Sequence, residues 1–239
     1  MLGRFLEISL HTPDIQASLA FYESLGFVQA TTGDTWTHPY AVVTDGHLYV
    51  GLHGRDCPPL TVTFVKPELA LSVPKITALD IALTRANLDA ESFNEISFAD
   101  PHGLPIHVVE ARTFSPPALD LLTESTCGYF AELGIPVRDY ANGREFWEQL
   151  GFVGMDAEDE PFARVSLTSD HLNIGLYRSR ALRYPVLTFE SEDMRERIAR
   201  LKEKKLHLSD EMPDALDAAT NAVLIAPEGT RLLLLETPQ

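Results

Sequence analysis

Acidic, imidazole and phenolic side chains recur at alternate positions in short extended segments of this sequence. The alternation of polar and apolar residues in segment 5–10 predicts a half-buried strand. One side of that strand carries Phe5, Glu7 and Ser9, and the other carries Leu6, Ile8 and Leu10. Segment 47–53 is a second predicted strand, with Tyr49 and His53 on one side. Such groups contact polar small molecules and transfer protons, so the pattern predicts ligand-binding or acid–base chemistry on one face of a sheet.

The segments that carry and surround these groups occur twice in the chain, as an internal repeat. Residues 21–27 (FYESLGF) return about 125 residues later as residues 146–152 (FWEQLGF). Three further pairs of segments return in the same order at nearly the same spacing: 44–52 with 168–176, 62–64 with 187–189, and 99–103 with 225–229. Chance similarity of short apolar runs would not keep this spacing. The chain is therefore predicted to contain a duplicated module.

Local signals predict the elements of each module. Asp14 precedes an amphipathic helical pattern, and Gly26 follows it at the place of a left-handed C-terminal residue. Residues 67–87 are predicted to be helical in part, with Pro74 as an interruption. Each module then reads strand, helix, strands, helix, strands, which is an α+β pattern. The predicted modules are residues 1–113 and 125–239, joined by a linker at residues 114–124.

One face of each predicted sheet is polar. Its members are Glu7, Tyr49, Gly51, His53 and His107 in the first module, and Glu132, Asn173, Gly175, Tyr177 and Leu233 in the second. Carboxylates are almost never fully buried unless they are paired, so these faces should look onto something other than an apolar core. We expect the two modules to pack side by side, with their curved sheets enclosing one shared cup for a small molecule. The predicted ligand contacts are Tyr49, Asn173 and Trp36, and the predicted acid–base residues are His53 and Tyr177.

Composition limits the partners. The net charge of −16 argues against nucleic acid and anionic membranes, because both require basic patches. Cys57 and Cys127 form neither a disulfide framework nor a zinc spacing. The sequence has no apolar run as long as a membrane span and no secretion signal, which predicts a cytoplasmic protein. Both a monomer and a homodimer are compatible with these features.

The repeated segments resemble those of the vicinal oxygen chelate superfamily, which includes glyoxalases, bleomycin-resistance proteins and extradiol dioxygenases. The resemblance rests on the helix signature from Asp14 to residues 21–27, on its copy from Asp139 to residues 146–152, and on the turns at 100–103 (DPHG) and 226–229 (APEG). It covers nearly the whole chain. The resemblance implies paired βαβββ modules with a metal at the centre of the cup.

The resemblance also implies where metal ligands would lie. The family places them in the first strand and the last strand of each module, which here are Glu7, His107, Glu132 and Leu233. The residue types depart from the family pattern at all four places, and a leucine does not bind metal. The remaining set, Glu7, His107 and Glu132, would suit a divalent ion such as Mn, Fe, Ni or Zn.

Two functions follow from the resemblance and remain open at this point. The first is a metal-dependent lyase, isomerase or dioxygenase; glyoxalase I activity itself is disfavoured, because that chemistry uses the glutamate replaced by Leu233. The second is a metal-free, bleomycin-resistance-like protein that sequesters a small molecule, for which the acidic cup would favour a cationic guest. A scaffold without pocket chemistry is a third, weaker alternative.

Overall fold

A computed structural model describes residues 1–31, 37–89, 94–111 and 125–237 of the chain. The predicted linker at residues 114–124 lies outside the described residues, and so does Trp36. None of the helices in the described part of the chain has the length and apolarity to cross a lipid bilayer.

The first half of the chain forms a mixed sheet with two helices. Its elements are β1 (Arg4–His11), α1 (Ile15–Ser24), β2 (Val28–Gln29), β3 (Tyr40–Thr44), β4 (Tyr49–His53), β5 (Leu60–Lys66), α2 (Leu69–Thr77), β6 (Arg85–Asn87), β7 (Glu95–Ala99) and β8 (Pro105–Glu110). The eight strands lie in the order β2-β3-β4-β1-β5-β8-β7-β6.

The second half repeats this arrangement. Its elements are β9 (Tyr129–Pro136), α3 (Ala141–Gln149), β10 (Val153–Glu158), β11 (Arg164–Thr168), β12 (Ile174–Tyr177), β13 (Val186–Ser191), α4 (Met194–Glu203), β14 (Leu208–Ser209), β15 (Ala222–Ile225) and β16 (Arg231–Glu236). The strand order, β10-β11-β12-β9-β13-β16-β15-β14, is that of the first sheet. The predicted α+β class and the tandem duplication are confirmed.

Each half itself contains the βαβββ order twice. In the first half the two units are β1-α1-β2-β3-β4 and β5-α2-β6-β7-β8, and they meet where β1 pairs antiparallel with β5. In the second half β9 and β13 form the same junction. The chain is therefore built from four βαβββ units, and two of them complete each eight-stranded sheet.

Helices α1 and α2 show how local signals and packing compete. The Asp14 carboxylate accepts a hydrogen bond from the Ala17 N–H at 3.0 Å, and Gly26 has φ +95°, so both predicted ends of α1 are confirmed. The prediction that Pro74 interrupts the next helix is wrong, because α2 continues through it to Thr77. Leu69 and Ile76 are fully buried on either side of Pro74, and their burial compensates for the lost backbone hydrogen bond.

A β-bulge changes which side chains of β1 share a face. Phe5 pairs with Phe64 and Glu7 pairs with Thr63, so Leu6 is an extra residue in β1. The rings of Phe5 and Phe64 pack edge to face at 6.1 Å, and Phe5 packs against the apolar core. The predicted grouping of Phe5 with Glu7 and Ser9 is therefore wrong. The same shift occurs in β9, where Phe130 pairs with Phe189 and Glu132 pairs with Thr188.

The two halves share one apolar core and exchange contacts through their closing turns. Glu228, in the turn before β16, accepts hydrogen bonds from Ser18 Oγ at 2.8 Å and Tyr22 Oη at 2.9 Å, both on α1. The equivalent turn residue of the first half, His102, lies directly against Gly143 of α3. Each half thus places its closing turn on the first helix of the other half.

Candidate functional site

One face of the first sheet carries a continuous row of polar side chains. Strand pairing joins Glu7 to Thr63 and Thr63 to His107, and the next neighbour of His107 is Ser97. The alternate residues of the same strands, such as Ile8 and Val108, lie in the apolar core beneath the helices. Strand alternation therefore separates a core face from a polar face.

Glu7 is the buried acid of this polar face, with 4% of its surface exposed. Its Oε1 atom accepts a hydrogen bond from Ser9 Oγ at 2.7 Å and lies 2.8 Å from His53 Nε2. Ser9 Oγ is also 2.7 Å from Thr63 Oγ1. Gly51 lies beside the carboxylate, and a Cβ atom at that position would overlap Glu7. These partners explain how the carboxylate can be buried.

A second histidine extends this arrangement. His53 Nδ1 lies 2.8 Å from His38 Nε2, so Glu7, His53 and His38 form one hydrogen-bonded chain, which we call the Glu7–His53–His38 chain. The Tyr40 ring stacks on His53 with an interplanar angle of 13°. Burial lowers the pKa of His38, and the nearby Arg55 guanidinium lowers it further. The outer imidazole of the chain is therefore held in its neutral form.

A second acid–histidine pair lies across the same face. His107 Nε2 is 3.0 Å from Glu95 Oε2, and Arg85 Nη2 is 2.6 Å from Glu95 Oε1. Burial is the main influence on His107 and lowers its pKa, while Glu95 acts in the opposite direction. Both ends of the polar face thus present an imidazole supported by a buried carboxylate.

A cavity of about 290 Å³ opens over this face. We call it the first cavity; its lining residues are Ser9, His53, Arg55, Asp56, Cys57, Pro58, Thr61, Thr63, Thr84, Arg85, Ser97, Phe98, Pro105, Ile106 and His107. All of them belong to the first half of the chain. Burial raises the pKa of Cys57, which favours the thiol and argues against a nucleophilic role.

The corresponding acid of the second sheet has different partners. Tyr177 occupies the position of His53, and its hydroxyl donates to Glu132 Oε1 at 2.7 Å and lies 2.8 Å from Thr188 Oγ1. Gly134 and Gly175 leave room for the tyrosine ring, because a Cβ atom at either position would overlap it. Tyr177 is 1% exposed, so its hydroxyl is used inside the protein. The acid–base role of Tyr177 stays a prediction.

Apolar side chains cover part of the second sheet's face, next to a cavity of about 210 Å³ at Glu132 and Arg164. We call this cluster the apolar plug; its members are Phe162, Tyr177, Leu182, Val186, Leu216, Val223, Leu233 and Leu235. Phe162, Leu182 and Leu216 come from the connections between strands and cover the sheet. Leu233 occupies the position that His107 has in the first sheet, and it has no exposed surface. The two halves therefore share a fold but differ in what lies on this face.

The predicted cup common to both modules is not formed. Glu7 and Glu132 lie in different sheets, and each carboxylate is bound by partners from its own half. Each sheet is completed by two units of the same half. The set Glu7, His107 and Glu132 is consequently not brought together. Within the described ranges, no three His, Cys, Asp or Glu residues lie close enough together to hold a metal ion.

The remaining predicted contacts lie away from the first cavity. Tyr49 is on the same strand face as His53 but does not line the cavity. Asn173 is exposed in the second half, where it bonds Thr168 and the Ala131 carbonyl. Arg55 and Arg85 were not predicted: Arg55 follows the end of β4, and Arg85 lies in a three-residue edge strand without an apolar pattern.

Replacing Glu132 with glutamine should remove a pH-dependent loss of stability. Burial raises the pKa of Glu132 above its ordinary value of 4.5. The unfolded chain thus releases this proton at lower pH than the folded chain, and stability falls as pH rises from 4.5 through the folded pKa. Glutamine keeps the acceptor for Tyr177 but does not ionise. The free energy of unfolding of Glu132→Gln relative to wild type should therefore increase between pH 4 and pH 7, measured by urea denaturation.

Glu158→Gln is the matched control for this experiment. Glu158 is an exposed acid that shares the partner Arg164 with Glu132. Its replacement should leave the slope of stability against pH near that of wild type. A relative stability of Glu132→Gln that declines as pH rises would contradict the argument from burial.

Comparison with solved structures places this fold among ring-cleaving dioxygenases and a glyoxalase. A 2,2',3-trihydroxybiphenyl 1,2-dioxygenase from Sphingomonas wittichii strain RW1 aligns with a TM-score of 0.66 and 15% identity over 100% of this chain and 92% of its own. A catechol 2,3-dioxygenase aligns with a TM-score of 0.61 and 14% identity over 100% of this chain and 89% of its own. A Mn(II)-bound glyoxalase from Novosphingobium aromaticivorans aligns with a TM-score of 0.61 and 15% identity over 98% of this chain and 82% of its own.

The chain therefore has the fold of vicinal oxygen chelate proteins, as the repeated segments predicted. At these identities the likeness establishes the fold alone. No protein-family model and no curated protein sequence matches the chain.

Proposed function

We propose that this chain binds a polar small molecule in the first cavity and that the Glu7–His53–His38 chain serves that molecule as an acid–base group. The observation that carries the proposal is the difference between the two halves. In the first sheet this face borders a polar cavity of about 290 Å³ with two histidines in its lining. In the second sheet the apolar plug covers part of the face, and a smaller cavity of about 210 Å³ remains beside Glu132 and Arg164. Buried polar groups beside a cavity are costly to keep, and such sites are where ligands bind.

The donor set does not fit a metal ion held as in the predicted site. One structural neighbour is a Mn(II)-bound glyoxalase, which makes a divalent ion the obvious cofactor to consider. Here Glu7 and Glu95 are each bound by a histidine, and Glu132 lies in the other sheet. In the proposed function the chemistry is therefore supplied by the side chains alone.

Hydrogen-bond chemistry fixes the direction of the Glu7–His53–His38 chain. A carboxylate only accepts, so His53 donates to Glu7 from Nε2. When His53 is neutral, it accepts at Nδ1 and His38 donates to it from Nε2. The chain thus runs from His38 through His53 to Glu7, and a proton on His38 can be relayed inward by two transfers.

This arrangement favours proton-transfer chemistry, as in an isomerase or a lyase. Positioned imidazoles with a supporting carboxylate are common general bases, and the lowered pKa of His38 favours its unprotonated form. Binding without catalysis is the second candidate. It is favoured by the depth of His53, which is 2% exposed and has both ring nitrogens in hydrogen bonds.

Replacing His53 with glutamine should weaken ligand binding, because the substitution removes an imidazole that lines the first cavity and breaks its hydrogen bonds to Glu7 and His38. Ligands would be found by screening polar fragments for shifts of the histidine side-chain signals in NMR spectra. Hits at the proposed site should shift the signals of His53 and His107. The dissociation constants of those hits would then be measured for both proteins.

His171→Gln is the control, because His171 is exposed at a turn of the second half. It should bind every hit as wild type does. The proposal fails if no polar fragment shifts the cavity histidines, or if His53→Gln and His171→Gln bind the hits equally well. A His38→Gln variant separates the two candidates: a catalyst should lose turnover while keeping its affinity, whereas a binding protein has no turnover to lose.

A further inference from the structure

The lining of the first cavity has an unexpected charge. The whole chain is acidic, and its sequence predicted a cationic guest. Among the cavity's lining residues, however, Arg55 and Arg85 are cationic and Asp56 is the single acid. Glu7 and Glu95 belong to the same face, but each lies beneath a histidine and neither lines the cavity.

Arg55 is held over the middle of this lining. The His11 ring lies 2.7 Å from the Arg55 carbonyl oxygen, which fixes the backbone of the segment after β4. The guanidinium acts on imidazoles at both ends of the polar face, since its charge lowers the pKa of His38 and of His107. Arg85 lies at the Glu95 end of the polar face, where its Nη2 atom is 2.6 Å from Glu95 Oε1. A guanidinium offers five donors, so one ion pair does not exhaust it.

The other lining groups match an anion with a compact apolar body. Ser9, Thr61, Thr63 and Ser97 add hydroxyl donors around the arginines, and Pro58 and Pro105 give apolar surface. Hydrogen bonds from arginine to a carboxylate are stronger than neutral ones and are often bidentate. The volume of about 290 Å³ is at the small end of ligand cavities, which run from about 300 to 1,000 Å³.

We infer that the first cavity takes a small organic monoanion, a carboxylate on a compact apolar body, with its charged end against Arg55 and Arg85. This inference rests on the proposed function and adds the ligand class to it. Of the acid–base chain, His53 lines the same cavity, whereas His38 is not among the lining residues that the structure describes.

Three probes of matched shape test the charge: benzoate, benzamide and benzylammonium. Each would be titrated by NMR and calorimetry into wild type, Arg55→Met, Arg55→Lys and Arg195→Met. Arg195 is an exposed residue of α4 in the other half and serves as the matched control. Benzoate should bind wild type at least tenfold more tightly than the other two probes, and more weakly as salt is added.

Arg55→Met should lower the affinity for benzoate at least tenfold and leave the affinity for benzamide unchanged. Arg55→Lys should retain part of the affinity for benzoate that Arg55→Met loses. Arg195→Met should bind benzoate as tightly as wild type does. The inference is overturned if benzylammonium binds most tightly, if Arg55→Met binds benzoate normally, or if benzoate does not bind. If benzamide or benzylammonium bound at His53 and His107 and benzoate did not, the result would contradict the inferred ligand class and leave the proposed function intact. If no fragment bound at His53 and His107, the result would contradict the proposed function as well.

Discussion

A glutamate in place of Leu233 should lower the free energy of unfolding by about 3–5 kcal/mol at pH 7, the cost of a buried charge without a partner. Leu233 has no exposed surface and lies inside the apolar plug, where Phe162, Val186 and Leu216 surround it. A carboxylate there would lose its water, and the hydroxyl of Thr188, the strand partner of Leu233, is already bonded to Tyr177. Urea denaturation should also show the loss shrinking as pH falls, because burial raises the pKa of such a carboxyl group and it becomes neutral.

Leu233→Met is the control for this substitution. It conserves volume and polarity, so it should cost less than about 1.5 kcal/mol. If the glutamate variant were no less stable than the methionine variant, water would reach this position and the second half would have an open site like the first. The comparison therefore tests the central difference between the two halves.

Replacing Glu228 with alanine should cost about 1–3 kcal/mol, because the buried Tyr22 hydroxyl loses its charged acceptor and keeps only Thr230 as a partner. Tyr22 has no exposed surface, and its hydroxyl donates to Glu228 at 2.9 Å. Ser18 loses the same partner but keeps Thr12 at 2.9 Å. Glu228 belongs to the second half and α1 to the first, so the lost free energy of unfolding would come from the contact between the two halves.

A double-mutant cycle with Tyr22→Phe distinguishes this contact from general damage. Phenylalanine removes the hydroxyl that would lose its charged acceptor, so Glu228→Ala should cost much less in the Tyr22→Phe background. The four proteins would be compared by urea denaturation, with Glu228→Gln as the variant that keeps an acceptor. Strictly additive costs for the two substitutions would contradict a direct coupling between Tyr22 and Glu228.

The fold could be predicted from local signals because they are repeated. Asp14, Gly26 and segments such as 21–27 have copies in the second half, so each weak signal supported another. The division of each half into two units gave no comparable signal. In the first half the helix of the second unit is α2, whose internal Pro74 breaks the helical pattern of the sequence, and Leu69 and Ile76 on either side of it are buried in the core.

The site could be predicted only where strand alternation applies. Glu7, His53 and His107 stand on regular strands, and the structure places them on the polar face of one sheet. His38 and Arg55 lie next to strands, so their positions depend on the tertiary fold. The apolar plug was missed for a similar reason, because Phe162, Leu182 and Leu216 come from connections that have no periodic pattern.

The extra residue at Leu6 bears on how this chain is compared with its relatives. Residues before it, such as Phe5, belong to the core, while residues after it, such as Glu7, belong to the ligand side. A gap-free alignment to a relative with a regular first strand would shift one of these two groups onto the wrong face. Ligand-binding positions should therefore be transferred only after the insertion is aligned, and the same holds for Ala131 in the second copy.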